Sequence, residues 1–573
     1  EFEQKLDFLT KGLRFKALGT FKNWSKSINK YSAGWNKYLL GSYEQNEDGS
    51  YSYTTNRVGN EVSTDLNSTN ETAGDRRICL EAMVDYNRTF GRHDVNAMLL
   101  YNQDELVNNV PGNNLINSLP KRKQGLAGRL SYAYDGKYMA EVNMGYNGSE
   151  NFAKGHRWGF FPSIALGYNI SEESFFEPLR KVITSMKLRG SWGLVGNDQI
   201  GGERFIYMPT INLSGKGFTT GIDQNYGLSG PVYTRYENNS ITWEVGEKIN
   251  LGIDLQLLNS LNIVVDIFRE TRRDIFQKKG TIPTYLGTGN TDVFGNLAEM
   301  KNQGLDLSID YNKAFSKDFY MNFKGTFTYA HNEITKYDEA PKYAFQSKVG
   351  QSANVSQGYL SNGLFLDEAE IDRYNQQMGS TLGAGDIKYL NVSNMHGYGD
   401  DIVDVDDWTW IGNPTVPEIV YGFGPSFKYK NWDFSFFFQG VAKTSLFMSG
   451  FHPFGDNSLR NVLQFVANDR WSPTNQNVDA KYPRLTRKTS LNNTNPGNSG
   501  RTSDYWMRDG SFLKLKNMEL GYTFKRMRFY ISGSNLLTFS KFDLWDPEQG
   551  GGSGLKYPTQ RVFNVGFQMT FNN

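Results

Sequence analysis

The sequence contains very little cysteine, no excess of one charge and no long apolar run. Cys79 is the only cysteine among 573 residues, which excludes an internal disulfide framework and argues against a cysteine-rich metal site. The 61 basic and 60 acidic side chains leave a net charge of +1, so no overall field attracts nucleic acid. No apolar run reaches about 18 residues, and this excludes a transmembrane helix.

Aromatic residues are abundant, and many segments alternate apolar and polar residues. The 39 Phe, 33 Tyr and 11 Trp suit a lipid-facing band with interfacial girdles, or a soluble carbohydrate-binding protein. The last segment alternates most clearly. One face carries Phe563, Val565, Phe567, Met569 and Phe571, and the other carries Asn564, Gly566, Gln568 and Thr570. This pattern predicts a strand of a water-soluble sandwich or of a membrane barrel.

Seventeen segments alternate in this way, and the connections between them are in turn short and long. The segments are 13–21, 35–43, 78–86, 95–101, 126–134, 138–146, 164–170, 186–194, 251–257, 261–267, 305–311, 319–329, 421–429, 434–438, 513–524, 527–531 and 563–571. The short turns lie near Asp135-Gly136, Asn259, Ser316, Asn431 and Lys525-Arg526, and 171–183 is a longer exception. The long connections are 44–75, 102–124, 195–247, 270–303, 330–418, 444–510 and 538–561. Outer-membrane barrels have short turns at one rim and long loops at the other, so the sequence predicts an all-β fold, a transmembrane antiparallel β-barrel.

The barrel interpretation makes four further predictions. With the C-terminus in the periplasm, the last strand descends and so does the segment 13–21, which leaves an odd number of strands to be supplied N-terminal to this chain. The apolar side chains should face lipid while their polar neighbours face the lumen. The outward set is Phe563, Val565, Phe567, Met569, Leu251, Ile253 and Leu255, and the inward set is Asn564, Gln568 and Asp254. A change of phase within 513–524 predicts a one-residue bulge near Lys516-Asn517.

A series of motifs resembles SusC/RagA-type TonB-dependent transporters of the Bacteroidetes outer membrane. They occur in the family's order over most of residues 100–573. They are Gly125–Tyr138, Arg157–Ser163, Ser171–Phe176, Leu188–Asp198, Asn302–Asp306, Ile411–Thr415, Phe438–Val441, Asn468–Pro473, Lys481–Leu485, Ser511–Asn517 and Gly533–Phe539.

The resemblance implies a 22-stranded barrel of which residues 1–573 form the C-terminal part, with about 17 strands. The extracellular loops would be 44–75, 195–247, 330–418, 444–510 and 538–561. A plug domain, a TonB box and a signal peptide are expected N-terminal to Glu1. The implied partners are outer-membrane lipid, TonB, a SusD-like surface lipoprotein and an oligosaccharide or peptide substrate. A dimer of transporter–lipoprotein pairs is also implied.

An acidic stretch in the connection 330–418 is the most site-like motif. Family members have a calcium loop here, and Asp400, Asp404 and Asp407 match its fifth, ninth and twelfth positions. This chain differs from that pattern. Asp401 replaces the turn glycine, while His396 and Tyr398 stand where the first acidic ligands are expected. The alternatives are a structural Ca²⁺ site and a solvated acidic loop.

Four aromatic residues in the long connections are candidate contacts for substrate or partner: Trp408, Trp410, Tyr505 and Trp506. The alternative for each is burial among the loops or a place in an interfacial girdle. The pair Phe451 and Phe454 has the same two interpretations. Five histidines, at 93, 156, 331, 396 and 452, lack metal-ligand spacing, and no catalytic residues are identified.

Three functions therefore compete. One is active import across the outer membrane, and another is surface binding or adhesion with the barrel as an anchor. A soluble sugar-binding protein or glycosidase is disfavoured, because loop lengths alternate strictly and no pair of catalytic carboxylates stands out. We expect a protein that is not an enzyme.

Overall fold

The chain folds mainly into antiparallel strands. The computed structural model describes residues 1–112, 115–201, 204–283, 285, 292–374, 376–377, 382–451, 453–454, 461–487, 493 and 502–571, so His452 lies outside the described residues. In this described part, no helix combines the length and the apolar character needed to cross a bilayer.

The strands are β1 (Phe2–Lys5), β2 (Leu13–Ser32), β3 (Lys37–Gln45), β4 (Tyr51–Val58), β5 (Asn67–Phe90), β6 (His93–Asn108), β7 (Lys121–Tyr134), β8 (Tyr138–Ser149), β9 (Trp158–Asn169), β10 (Ile183–Asn197), β11 (Thr210–Thr220), β12 (Tyr226–Arg235), β13 (Glu244–Leu257), β14 (Leu261–Lys278), β15 (Phe294–Ala314), β16 (Phe319–Lys336), β17 (Ser356–Gly358), β18 (Ser361–Leu364), β19 (Gln376–Gln377), β20 (Ile387–Tyr389), β21 (Ile402–Val403), β22 (Thr409–Ile411), β23 (Ile419–Tyr429), β24 (Trp432–Ala442), β25 (Ser445–Phe447), β26 (Met507–Asp509), β27 (Phe512–Phe524), β28 (Met527–Ser540) and β29 (Val562–Met569). The α-helices are short: α1 (Leu115–Ser118), α2 (Glu368–Arg373), α3 (Val392–Met395) and α4 (Gln464–Asn468). Short 3₁₀ helices cover Ile170–Glu172, Ser174–Leu179, Ala344–Gln346, Val405–Asp407, Asp504–Trp506 and Pro547–Gln549.

One compact unit comprises residues 1–88, 97–128 and 145–151. Within it β1 pairs antiparallel with β2, and β2 pairs antiparallel with β5 in unbroken register from Leu13–Tyr86 to Ser32–Asn67. The strands β3 and β4 form a separate two-stranded hairpin.

These pairings correct two sequence-based predictions. The segment 35–43 corresponds to β3, which belongs to the hairpin and not to the large sheet, whereas β1 was not predicted. Because the sequence-based order places segment 35–43 as a strand between 13–21 and 78–86, it gives those two segments the same direction. This is wrong, because β2 and β5 are antiparallel neighbours. The reason is that an exposed hairpin alternates side chains just as a sheet strand does, so a period of two cannot distinguish them. The strand β5 also begins at Asn67, inside the predicted connection 44–75.

The other compact unit comprises residues 89–96, 129–144 and 152–573. Eleven of its strands pair antiparallel, each with the next, in the order β9, β10, β13, β14, β15, β16, β23, β24, β27, β28 and β29. Counting all described strands, the large sheet has seventeen. The predicted number of strands, seventeen, is right. One of the predicted strands is wrong, because β1 belongs to the large sheet and segment 35–43 does not.

The short turns of this second unit lie along one edge of the sheet and are hydrogen-bonded to one another. Asp135 and Gly136 both have positive φ, 55° and 66°, as a two-residue hairpin turn requires. The backbone N–H groups of Asn169, Leu258, Asn312, Lys430, Thr523 and Thr570 donate to the carbonyls of Lys137, Val182, Ser260, Asp318, Asn431 and Arg526, at 2.7–3.0 Å. The predicted placement of these turns on one rim is confirmed, and the connection 444–510 leaves from the opposite ends of β24 and β27.

The two faces of the sheet differ in chemistry. Leu255, Ile263 and Ile309 form one row across β13, β14 and β15, whereas the adjacent row is Asp254, Val264 and Ser308 on the other face. On the polar face, Arg189 of β10 donates to Asp254 at 2.7 Å. Further along the sheet, Arg528 pairs in the same way with Asp433 and Glu519. Apolar and ion-paired side chains are therefore segregated by face.

A bulge in β27 restores this segregation where the sequence changes phase. Phe438 of β24 pairs with Leu515 and Phe437 pairs with Asn517, so Lys516 has no partner in the ladder. The predicted bulge is confirmed. Because of it, the odd-numbered apolar positions before Lys516 and the even-numbered ones after it lie on one face.

Candidate functional site

The long connections at the edge opposite the short turns pack against one another around their own apolar core. We call this core the loop cluster. It draws on the connections 337–418, 443–511 and 541–561. Its buried members are Tyr359, Leu364, Ile387, Tyr389, Val403, Leu446, Met448, Phe451, Phe454, Val466, Trp471, Ala480, Tyr482, Trp506 and Phe542. The cluster gives these loops a defined shape, since each buries apolar side chains that it could not bury alone.

Trp506 lies at the centre of the loop cluster. Its side chain is fully buried, with its ring 5.2 Å from that of Phe454 and stacked at 6.5 Å on Phe451. The neighbouring Tyr505 donates its hydroxyl to the carbonyl of Ala480 at 2.8 Å, and burial raises the pKa of Tyr505. Trp506 and Tyr505, predicted as contact candidates, are thus placed inside the loops, as are Phe451 and Phe454. Their roles as contacts stay predictions.

Trp408 and Trp410 lie at the margin of the same loops. Trp408 is 37% exposed and meets the ring of Tyr359 edge-on at 6.0 Å. Trp410 is half-buried and donates its indole N–H to the carbonyl of Ser347 at 2.8 Å. Of the four predicted contact residues, Trp408 is the most exposed.

A buried ion pair joins two of the long connections. The carboxylate of Asp386 has no exposed surface and accepts hydrogen bonds from the guanidinium of Arg484, one of them at 3.0 Å. Asn493 Nδ2 and Gly383 N also donate to it, at 2.6 and 2.9 Å. Hydrogen bonding to Asp386 raises the pKa of Arg484. Because Asp386 is supplied with these hydrogen-bond donors, its carboxylate holds residues 383–387 to Arg484 and Asn493.

A second set of charges fastens the connection 541–561 to the sheet. We call it the lysine latch. Lys514 on β27 is 1% exposed, and its Nζ lies 2.6 Å from Asp546 Oδ2 and 2.7 Å from Glu548 Oε2. Lys516 also pairs with Glu548 at 2.7 Å. Burial raises the pKa of Asp546 and Glu548, but the hydrogen bonds and positive charge of Lys514, together with further hydrogen bonds, outweigh it, and both pKa values lie below their ordinary range.

A cavity of about 620 Å³ lies beside the lysine latch, where strands β24 and β27 enter the loops. Apolar walls come from Pro417, Phe447 and Phe512, and polar groups from Thr444 and other hydroxyl residues. Of the described residues that line it, Glu548 alone is ionisable, and Lys514 and Lys516 pair with that carboxylate. The size is within the range of small-molecule sites, and the lining offers apolar contact and neutral hydrogen-bonding groups.

The acidic stretch folds into a tight turn in which its carboxylates accept hydrogen bonds from the protein. Asp407 is fully buried and accepts from the backbone N–H of Ser393 at 2.9 Å and of Asp404 at 2.8 Å. Asp404 caps the 3₁₀ turn that follows, accepting from Asp406 N at 2.8 Å. Asp400 accepts from the hydroxyl of Ser393 at 2.9 Å. Burial raises the pKa of Asp407.

This donor set does not fit a calcium ion. Both oxygens of Asp407 are directed at backbone N–H groups, and the first two ligand positions hold His396 and Tyr398. Within the described ranges, no three Asp, Glu, His or Cys side chains are grouped as metal ligands. A structural Ca²⁺ site stays a prediction from the family resemblance.

Comparison with known proteins connects this architecture to a family. The family model described as TonB dependent receptor-like, beta-barrel matches residues 3–536. TonB-dependent receptor P3 of Formosa agariphila is 26% identical over 481 residues, covering 78% of this chain and 45% of the relative. TonB-dependent receptor SusC of Bacteroides thetaiotaomicron is 28% identical over 471 residues, covering 78% of this chain and 43% of the relative. The chain spans about half the length of the curated relatives it matches.

A solved structure shares the fold. The structure of the RagAB peptide transporter superposes with a TM-score of 0.69 at 19% identity, covering 98% of this chain and 60% of that chain. The structural similarity covers nearly all of residues 1–573 and shows that the two proteins share a fold.

Proposed function

Because the chain belongs to the TonB dependent receptor-like β-barrel family and lies in the bacterial outer membrane, we propose that the whole protein actively imports bulky nutrients. The resemblance to SusC/RagA-type transporters is confirmed by the SusC relative. The observation that carries the proposal is the family match over residues 3–536. The relatives are transporters and receptors rather than enzymes.

The segregated faces of the sheet support this function. In a membrane barrel the apolar face, with Leu255 and Ile263, meets lipid, and the polar face, with Arg189 and Asp254, lines the lumen. A lumen of about 22 strands is wide enough to need a plug. A plugged lumen does not pass a bulky solute by free diffusion, so import needs energy, which we propose is delivered through TonB.

The loop cluster supports substrate capture at the mouth of the barrel. Its loops are fixed by an apolar core and by two sets of buried charges, and they enclose the cavity beside Phe447 and Phe512. We propose that this cavity holds one unit of an oligosaccharide or peptide. A SusD-like surface lipoprotein would cover the loops, with Trp408 among the contacts. The protein named in the RagAB structure is a peptide transporter, which keeps peptides among the candidate substrates.

The experiment is an uptake comparison in the native bacterium. Strains with and without the gene are given labelled oligosaccharides and labelled peptides, and uptake is restored from a plasmid. Retention of one class inside cells only when the gene is present supports import and identifies the class. Surface binding without internalisation would instead support the second candidate, an anchored binding or adhesion protein, and the import proposal would be wrong.

A further inference from the structure

The acidic turn Asp400–Asp407 contains five carboxylates, and one of them, Asp406, pairs with a lysine of a neighbouring segment. The family resemblance implies a divalent cation at this place. In this chain the positions of the first two ligands are aromatic, and the rings of His396 and Tyr398 are directed at a neighbouring segment. That segment, residues 342–347, precedes the acidic turn in the same long connection. We call it the docking segment.

Aromatic contacts join the docking segment to the residues that replace the calcium ligands. Phe345 stacks on His396 with ring centroids 4.6 Å apart and an interplanar angle of 13°. Tyr343 meets Tyr398 with centroids 4.2 Å apart. The two side chains that would have to be acidic to bind a cation therefore pack against rings instead.

Hydrogen bonds fix the same segment to the backbone of the acidic turn. Gln346 Nε2 donates to the carbonyls of Val405 and Asp406, at 3.3 and 3.0 Å. Trp410, just beyond the turn, donates its indole N–H to the carbonyl of Ser347 at 2.8 Å. The two bonds from Gln346 use carbonyl oxygens of the acidic turn, and all three bonds hold the segment in one register.

Lys342, the first residue of the docking segment, supplies a positive charge. Its ammonium forms an ion pair with Asp406 and lies 5.2 Å from the centre of the Tyr343 ring. Asp406 is largely buried, its side chain 16% exposed, while the lysine is 60% exposed. The ammonium of Lys342 is therefore held against the acidic turn, and the nearby face of the Tyr343 ring also attracts it.

We propose that Lys342 and the docking segment replace the divalent cation, so that the acidic turn of this protein is held closed without calcium. The aromatic pairs take the place of the missing acidic ligands, and the ammonium neutralises part of the carboxylate charge. The inference concerns the loop and does not depend on the proposed import function. The proposal explains why His396 and Tyr398 differ from the family pattern: both side chains pack against the docking segment.

The test is amide hydrogen exchange of peptides covering 393–407 in the intact, detergent-purified protein. Exchange reports local opening, because amides such as those of Ser393 and Asp404 are bonded to Asp407 in the closed turn. It is measured with excess chelator and with about 10 mM Ca²⁺, above the 10⁻⁴–10⁻³ M range of extracellular calcium modules. Equal exchange in the two conditions is expected. Slower exchange with Ca²⁺ would overturn the proposal and restore the calcium site.

The second arm replaces the lysine. Lys342→Met should speed exchange of the turn by about two- to fivefold, the range for an ion pair of this exposure. The matched control is Lys348→Met, since Lys348 lies in the same connection but contacts Tyr337, with Nζ 4.4 Å from its ring centre. Lys342 is exposed and Lys348 is half-buried, and neither belongs to the loop cluster, so the variants are expected to fold. Equal exchange in the two variants would show that Lys342 does not hold the turn.

Discussion

Arg189 reaches Asp266 across a strand that lies between them. Arg189 Nη2 and Asp266 Oδ2 are 3.1 Å apart, although the arginine is on β10 and the aspartate on β14. Gly252 of β13 pairs with both residues in the ladder. A Cβ atom at this position would lie 2.5 Å from Asp266 Oδ1 and 2.8 Å from Arg189 Cζ. A larger residue at 252 would therefore push the guanidinium or the carboxylate out of its present position, and glycine allows the two to meet.

Gly252→Ala should destabilise the sheet by about 1–2 kcal/mol, because the methyl group displaces the guanidinium from partly exposed carboxylates and leaves them without it. Gly190→Ala is the matched control. It lies on the opposite face, and its Cβ would meet the Leu251 side chain at 3.4 Å. Stability is measured as the heat or denaturant midpoint for loss of the compact band on electrophoresis. Equal losses of stability in the two variants would show that the ion pair between Arg189 and Asp266 does not explain the glycine at position 252.

Strand positions could be predicted from the sequence because each strand is amphipathic and its turns carry suitable residues. Asp135-Gly136 accepts positive φ at both positions, and the shift of phase around Lys516 indicates a bulge. The pattern could not separate β3 from a sheet strand, because alternation does not say which strand a segment pairs with. Strand direction at the N-terminal side was wrong for the same reason.

The loops were less predictable, because their structure depends on contacts between residues far apart in sequence. Asp386 pairs with Arg484, and Lys514 pairs with Asp546 and Glu548, without any spacing that identifies the partners beforehand. A tryptophan in a long connection has the same sequence signal whether it is buried, as Trp506 is, or exposed like Trp408. The docking of Lys342 on the acidic turn also has no local signal.

Trp506→Ala should unfold the loop cluster locally, because removing a fully buried indole costs about 3–5 kcal/mol. Trp408→Ala, at a side chain 37% exposed, should cost no more than about 1 kcal/mol. The measurement is hydrogen exchange of peptides from 443–487 and 502–511. Faster exchange is expected only for Trp506→Ala. If Trp408→Ala opened the loops as much, the assignment of Trp506 to the centre of the cluster would be wrong.

The lysine latch offers a comparison of two lysines that share one carboxylate. Lys514→Met leaves Asp546 and Glu548 without their buried cation and should weaken closure of 541–561 by about 2–3 kcal/mol, somewhat less than for a fully buried pair. Lys516→Met removes a cation that is 28% exposed and should cost about 1 kcal/mol at most. Hydrogen exchange of 541–561 measures both. If Lys516→Met increased exchange more than Lys514→Met, Lys514 would not be the main cation that holds 541–561.

The faces of the sheet can be tested with two adjacent aliphatic residues of β14. Ile263 lies in a row with Leu255 and Ile309, whereas Val264 lies beside Asp254 and Ser308. An arginine facing lipid near the bilayer centre costs about 2–4 kcal/mol. Ile263→Arg should therefore reduce the folded barrel recovered from outer membranes, and Val264→Arg should be tolerated. The reverse order would mean that the polar face meets lipid.

Energised import is the central claim, and uptake after loss of TonB coupling tests it most directly. The measurement is uptake of the oligosaccharide or peptide that the gene-deletion comparison identifies. One strain produces the protein without its expected TonB box and the matched strain produces the intact protein, and equal amounts of both proteins at the cell surface are confirmed. Uptake should fall to the level of cells lacking the gene, while binding at the cell surface persists. Undiminished uptake would contradict the account and leave a passive pore.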